Sequence, residues 1–478
     1  MRLRVFFLVL LLVVPRAPAE GLPDLGEVTQ AAFTPLQERR LGESIMREIR
    51  ADRSFLDDAE AADYINNLGN RLAARSPGSR QDFEFFLIRE AQINAFALPG
   101  GFVGVHTGLI LTAQSESEVA GVMAHEIAHV TQRHIARMIA QQKRDQIASL
   151  AALAAAILLS RVNSQAAEAA AAFGQASVVQ GQLNFSRDAE READRVGLQI
   201  LEKAGFDPRA MAVFFERLQR ATRFYETGAP SYLRTHPLTF ERIADIQGRT
   251  QNLDYRQIPD SLEFQLIRAK LRAQFDAPRD ALAFFEQSLV ERKFLSEAAS
   301  RYGLVASLMR VKDYARARRE LEALRRHAPA SPIVETLACE LALASGPQAP
   351  ALACYREALK TYPGYRALIY DYANALLQAQ QPDAALRLVE NRLQSVADDY
   401  RLYQLQARSF AALNRRLGQH RAQAEAYVRM GNVTAAVEQL QIGLKSGDGD
   451  FYQLSSAEAR LRELRRLDEE LRREARKQ

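Results

Sequence analysis

MAHEIAHVTQRH, residues 123–134, decides how the rest of this chain is read. The chain has seven histidines, and three of them fall in this stretch. His125 and His129 are four apart, with Glu126 between them. Residues at that spacing share one face of a helix, one turn up, so both rings can offer a nitrogen to one ion. Neutral imidazoles suit Zn2+, and a carboxylate beside the metal can take a proton from water held there. H-E-x-x-H is the arrangement of zinc peptidases. The competing reading is an ordinary amphipathic helix, since Val119, Ala120, Met123, Ile127 and Val130 supply packing residues around the histidines.

A catalytic zinc takes three protein ligands and keeps a fourth position for water, so the sequence should offer a third. Residues 186–197, SRDAEREADRVG, place Glu190 and Asp194 four apart on one helix face. Glu190 can complete the site, and Asp194 can hydrogen-bond a ligand histidine or a reacting group. The plainer reading is a solvated acidic face of Glu190, Glu192 and Asp194, balanced by Arg187, Arg191 and Arg195. His236, before Pro237, reads on its own as a loop histidine in solvent. His134 lies five after His129 and points elsewhere on a continuous helix, so it is expected in solvent, as are His106, His327 and His420.

Around these motifs the chain divides. At 478 residues it exceeds one typical core, and 47% apolar residues exclude global disorder. Residues 1–19, MRLRVFFLVLLLVVPRAPA, run from charged to apolar to small-x-small, the order of a cleaved secretory signal. Loss of Arg2, Arg4 and Arg16 takes the basic count from 63 to 60 against 58 acids. Such a nearly neutral chain gives no electrostatic case for nucleic acid. Helical periodicity covers residues 35–50 and 57–74, and DFEFFLI at 82–88 reads as a strand. NAFALPGGFVGVH at 94–106 has two apolar runs around Pro-Gly-Gly, which predicts a hairpin. A helix is expected over 114–143, capped by Ser115 with Glu118 as capping-box partner. The Ala-rich segment 147–172 reads as a buried helix or one touching a membrane surface. Further helices are expected over 187–203 and 211–222.

Beyond about residue 260 the composition turns to Ala, Leu and Arg. Ala317 and Leu321 recur as Ala351 and Tyr355, then as Ala385 and Val389, each time 34 residues on. That is the tetratricopeptide period, and such helix pairs must stack to cover their apolar faces. Further units are expected at 281–288 and 424–443, and 458–477 reads as a charged, solvated end helix. Cys339 and Cys354 can pair in an oxidising compartment or remain two buried thiols.

HEIAH followed by E-x-x-A-D at 190–194, with NAFALPGG upstream, resembles the zinc peptidase family that includes the type I CAAX prenyl protease and its bacterial relatives. The resemblance extends over essentially the whole chain after residue 19. It implies a mainly α chain: an α+β, gluzincin-like metallopeptidase domain with a small β-hairpin or sheet, then an α-solenoid of tetratricopeptide repeats. The boundaries are a signal at 1–19, a peptidase domain at 20–258 and repeats at 259–478. It implies one Zn2+ held by His125, His129 and Glu190, Glu126 as the base, and Asp194 beside a ligand or as proton donor. His236 would be a fourth, inhibitory ligand. Asn94, Ala95, Phe96 and Ala97 would form the strand that pairs with substrate. An exported member with repeats is similar to the family's bacterial branch in β-barrel assembly. That likeness implies a periplasmic endopeptidase and chaperone-like factor for unfolded or stalled outer-membrane β-barrel proteins. Its repeats would meet the insertion machinery, and a peripheral membrane contact stays open. The alternative is an assembly scaffold whose protease site is latched.

Overall fold

Apolar alternation and the Pro99-Gly100-Gly101 turn build the small sheet at the centre of the first half of the chain. The computed structural model describes residues 33–77, 81–141, 187–221, 231–253 and 257–475. The expected signal at 1–19 and the Ala-rich segment 147–172 lie outside the described residues. Strands β1 (Glu84–Ile88), β2 (Ala95–Leu98) and β3 (Phe102–His106) form a sheet in the order β1-β3-β2. β1 runs parallel to β3, and β2 folds back antiparallel with Phe96 opposite Gly104. Gly100 and Gly101 take φ of 80° and 90°, a region open to glycine, which closes the hairpin. β2 is left as an edge strand.

Helices α1 (Pro35–Ala51) and α2 (Ala59–Ala73) precede the sheet. Thr34 and Gln37 form a full capping box on α1, and the Asp58 carboxylate caps α2 by accepting the Ala61 N–H at 2.9 Å. After the short α3 (Thr107–Thr112) comes α4 (Glu116–Thr131), which carries HEIAH and is buried on nearly every side. Ser115 caps it as expected, accepting the Glu118 N–H at 3.3 Å. The Glu118 carboxylate instead accepts the Gln114 N–H at 2.6 Å and pairs with Arg217. The expected continuous helix breaks after Thr131. Arg133 adopts φ 54°, its guanidinium binds Glu38 and the Phe33 carbonyl, and α5 (His134–Gln141) starts in a new direction.

α6 (Arg187–Lys203) packs along α4, followed by α7 (Arg209–Ala221), the one-turn α8 (Ser231–Thr235) and α9 (Phe240–Thr250). No helix among the described residues is long and apolar enough to cross a membrane.

From Leu262 onward the described residues form helix pairs. They are α10 (Leu262–Phe275), α11 (Pro278–Val290), α12 (Glu297–Arg310), α13 (Tyr314–His327), α14 (Pro332–Ser345) and α15 (Gln348–Thr361). There follow α16 (Arg366–Gln378), α17 (Pro382–Leu393), α18 (Tyr400–Ala412), α19 (Arg416–Arg429), α20 (Val433–Gly443) and α21 (Phe451–Ala475). Ala317, Ala351 and Ala385 are fully buried, and so nearly are Leu321, Tyr355 and Val389, so the 34-residue period marks the packed face of each second helix. Cys339 and Cys354 form a disulfide that staples α14 to α15.

The two halves share one core. Phe264, Leu266 and Ile267 of α10 join the same apolar cluster as Val119 and Met123 of α4. The N-terminus of α4 is tied to the start of α10. Glu116 N–H donates to Asp260 at 2.7 Å, and the Glu116 carboxylate accepts Ser261 N–H and Oγ–H at 2.9 and 2.8 Å.

Candidate metal centre

The regular helix of α4 sets His125 and His129 one above the other, with Nε2 atoms 3.0 Å apart. α6 lies close because Gly197 has no side chain: a Cβ there would stand 3.2 Å from the His125 backbone. This approach carries Glu190 to the rings, with its oxygens 3.5 Å from His125 Nε2 and 3.3 Å from His129 Nε2. His236, just after α8, completes a buried group of His125, His129, Glu190 and His236 whose donor atoms lie within 4.8 Å of one another. Its Nδ1 is 3.0 Å from Glu190 Oε1.

These residues fit a zinc ion. Bonds of about 2.0–2.1 Å in a tetrahedron give edges of about 3.3–3.4 Å, and the separations among His125, His129 and Glu190 bracket that value. The donor set is imidazole and carboxylate. The charge balance agrees. Burial alone would lower the His125 imidazole, yet Asp194 and Glu190 hold it up at about 9, so the pocket favours a positive charge at this point. Burial would raise Glu190, but His236, His125 and His129 hold it well below the usual carboxylate range. His129 is pushed well down by burial and stays a neutral imidazole.

Glu126 points into the same pocket. Both carboxylate oxygens are buried with no hydrogen-bond partner among the described residues, and Oε1 lies 3.5 Å from His236 Nε2. Burial raises the carboxyl, opposed in part by His236, His125 and the nearby Ala97 amide. A raised, unpartnered carboxylate is poised to accept a proton. Asp194 sits behind His125, its Oδ1 3.0 Å from the ring Nδ1.

Three more residues join the site, two of them marked by no sequence motif. Arg242 of α9 is buried and grips Asp194 with two bonds of 2.7 Å. A third nitrogen, Nη1, stands 2.7 Å from Glu190 Oε2 and donates to the Pro237 carbonyl at 2.9 Å. Its sequence signal is an arginine at four-residue spacing with buried Ile246 and Thr250, on the inward face of α9. Tyr232 of α8 is buried and stacks on His236, with centroids 4.8 Å apart.

The third is His134, and it corrects an expectation. It is 3% exposed rather than solvated. The break at Arg133 turns it back, so that its Nδ1 lies 2.8 Å from His129 Nδ1 and its Nε2 lies 3.1 Å from Glu192. Burial pushes it down to about 4, so it stays neutral and orients His129. His106 is likewise buried, its ring edge-on to Phe96 and its Nδ1 3.2 Å from the Gln92 carbonyl. His420 is half-buried against Gln439, whereas His327 is exposed as expected.

Comparison with known proteins agrees with this geometry. Residues 59–250 match the profile of Peptidase family M48. The chain is 33% identical over 454 residues to the Beta-barrel assembly-enhancing protease of Escherichia coli (strain K12), covering 94% of this chain and 92% of that protein. The Yersinia pestis protein of the same name is 33% identical over 462 residues, covering 95% and 94%. The Mitochondrial metalloendopeptidase OMA1 of Schizosaccharomyces pombe is 33% identical over 214 residues, covering 44% of this chain and 60% of that one.

Proposed function

The chain belongs to peptidase family M48 and is a zinc metalloendopeptidase, and from that premise we propose that it serves outer-membrane protein quality control in the bacterial periplasm. It hydrolyses misassembled β-barrel proteins and promotes the assembly of others. Its clients are unfolded or stalled barrel proteins, and its repeats meet the barrel insertion machinery. The observation that carries the reading is the buried His125, His129, Glu190 and His236 group beside an unpartnered Glu126, in a chain alike over nearly its whole length to proteins named for β-barrel assembly.

His125, His129 and Glu190 would hold the ion. Zinc, when bound, acidifies water and polarises the scissile carbonyl. Glu126 accepts the proton of the attacking water and passes it to the leaving amine. Asp194 fixes the His125 ring through Nδ1, and His134 does the same for His129. Residues Asn94, Ala95, Phe96 and Ala97 offer an extended backbone beside Glu126, and backbone pairing selects extended chains rather than particular side chains.

A second reading has its own observation. His236 stands within the ligand group, and a fourth protein ligand closes the position that water needs. In that state the chain is a latched protease that works as a scaffold. The test uses purified protein and an unfolded outer-membrane barrel protein. We expect about one zinc per chain, cleavage that rises on His236→Ala, and no cleavage but retained zinc in Glu126→Gln. Zinc without cleavage in His236→Ala would overturn the peptidase reading and leave the scaffold.

A further inference from the structure

The outer edge of β2 runs back to Ile93, where the site touches it. His106 N–H donates to the Asn94 carbonyl at 3.0 Å, and Phe96 and Leu98 follow in register opposite Gly104 and Phe102. In an antiparallel ladder the alternate residues turn the other way, so Ile93, Ala95 and Ala97 direct their backbone groups to the outer edge. That is the edge an extended substrate would join. The Ile93 carbonyl already accepts the Tyr232 N–H, at 3.4 Å. The Ala97 amide lies beside the Glu126 carboxyl.

Tyr232 and His236 are one turn apart and bound to each other. His236 N–H donates to the Tyr232 carbonyl at 2.8 Å, and the two rings stack at 29°. The bond to Ile93 therefore pins the turn that holds His236 in the ligand group. At 3.4 Å it is long for a hydrogen bond. A strand arriving in register offers a shorter, better aligned donor to the same carbonyl.

We propose that substrate pairing and latch release are one event: an extended chain adding to the outer edge of β2 takes the Ile93 carbonyl from the Tyr232 amide and so carries His236 out of the ligand group. The inference rests on the reading of β2 as the substrate strand and His236 as the latch. It gives the enzyme a reason to stay closed toward folded proteins, which present no free strand, and to open for unfolded ones.

Backbone amide exchange reads this directly. The sample is the zinc-loaded Glu126→Gln protein, which does not cut, compared with and without a reduced and alkylated unfolded polypeptide. We expect the Ala95 and Ala97 amides to slow while the Tyr232 and His236 amides speed up. The change should be about 2- to 10-fold, the range one net hydrogen bond supports. Slowing at Ala95 and Ala97 with no change at Tyr232 and His236 would overturn the coupling, and so would no slowing at all. In a second assay Tyr232→Pro, which removes the N–H, should cleave faster than Tyr232→Ala, which removes only the ring. Equal rates would count against the proposal. Failure of the underlying reading looks different: His236→Ala would bind zinc and cleave nothing.

Discussion

Arg242 shows how much of the centre depends on a residue that never meets the ion. Its fork holds both oxygens of Asp194 and reaches Glu190 and the Pro237 carbonyl. Two carboxylates of α6 and the loop at Pro237 thus share one guanidinium. Arg242→Lys keeps the charge but cannot reproduce the fork, so the Asp194 and Glu190 carboxylates should lose their fixed orientation. We expect zinc affinity to fall by roughly 10- to 100-fold, the usual loss when an outer partner of a ligand is removed. Competition with a chromogenic chelator measures it, and an unchanged affinity would confine Arg242 to packing. The residues proposed for metal and base are easier to read in the sequence than those that support them. His125, Glu126 and His129 stand out by residue type and spacing. Arg242 is one of many arginines, and its role depends on α9 returning to α6. Five residues on along a straight helix a side chain points away from His129, and only the left-handed Arg133 turns the His134 ring back.

Between elements, the site is set by how closely α6 approaches α4. Gly197 meets the backbone of His125 and Ala124, where a Cβ would stand 3.2–3.3 Å away. A branched side chain there must part the helices. Gly197→Val should therefore withdraw Glu190 and Asp194 from the histidines, lowering zinc content while far-ultraviolet circular dichroism stays near wild type. Full zinc content in that variant would mean the helices can slide to relieve the clash. Periodicity made most of these elements legible. α6 matches its expected span, and the hairpin forms around Pro99-Gly100-Gly101 as its turn residues require. Helix periodicity could not foresee the interruption at Arg133, since the apolar pattern continues through Ile135, Ala136 and Ile139. The interruption is dictated by distant partners, Glu38 and the Phe33 carbonyl.

Across the whole molecule, the repeats grip the peptidase half through a seam of charges at the start of α2. Lys270 of α10 is 12% exposed and lies 2.8 Å from both Asp58 and Glu60. Tyr365 donates to Glu60 at 3.2 Å, Arg366 pairs with Asp63 at 2.7 Å, and Tyr400 and Arg401 bind Asp57. Three repeats thus meet one helix terminus, an arrangement no sequence period announces because its partners lie some two to three hundred residues apart. Lys270→Ala leaves Asp58 and Glu60 facing each other with their central cation gone. Breaking one partner of such a pair costs about 3–5 kcal/mol, which denaturant unfolding should show. A loss within surface-pair range would mean water already screens the seam.

The same seam gives the chain an unusual pH response. Glu340 of α14 is pushed by burial up to about 8, and Asp371 of α16 up to about 7, with Lys270 opposing and Glu60 and Asp58 adding like charge. Both folded values lie above the ordinary 4.5 and 3.8. Between those limits the folded chain holds protons that the unfolded chain has released. Stability from these groups is therefore complete at low pH and is lost as pH rises toward about 8, the reverse of a salt-bridged carboxylate. Glu340→Gln keeps the shape and cannot ionise. Relative to wild type, the variant should gain melting temperature as pH rises from about 5 to about 8 and be the more stable at the upper end. Parallel curves for the two proteins would show that Glu340 ionises freely in the folded seam, with water rather than protein as its neighbour.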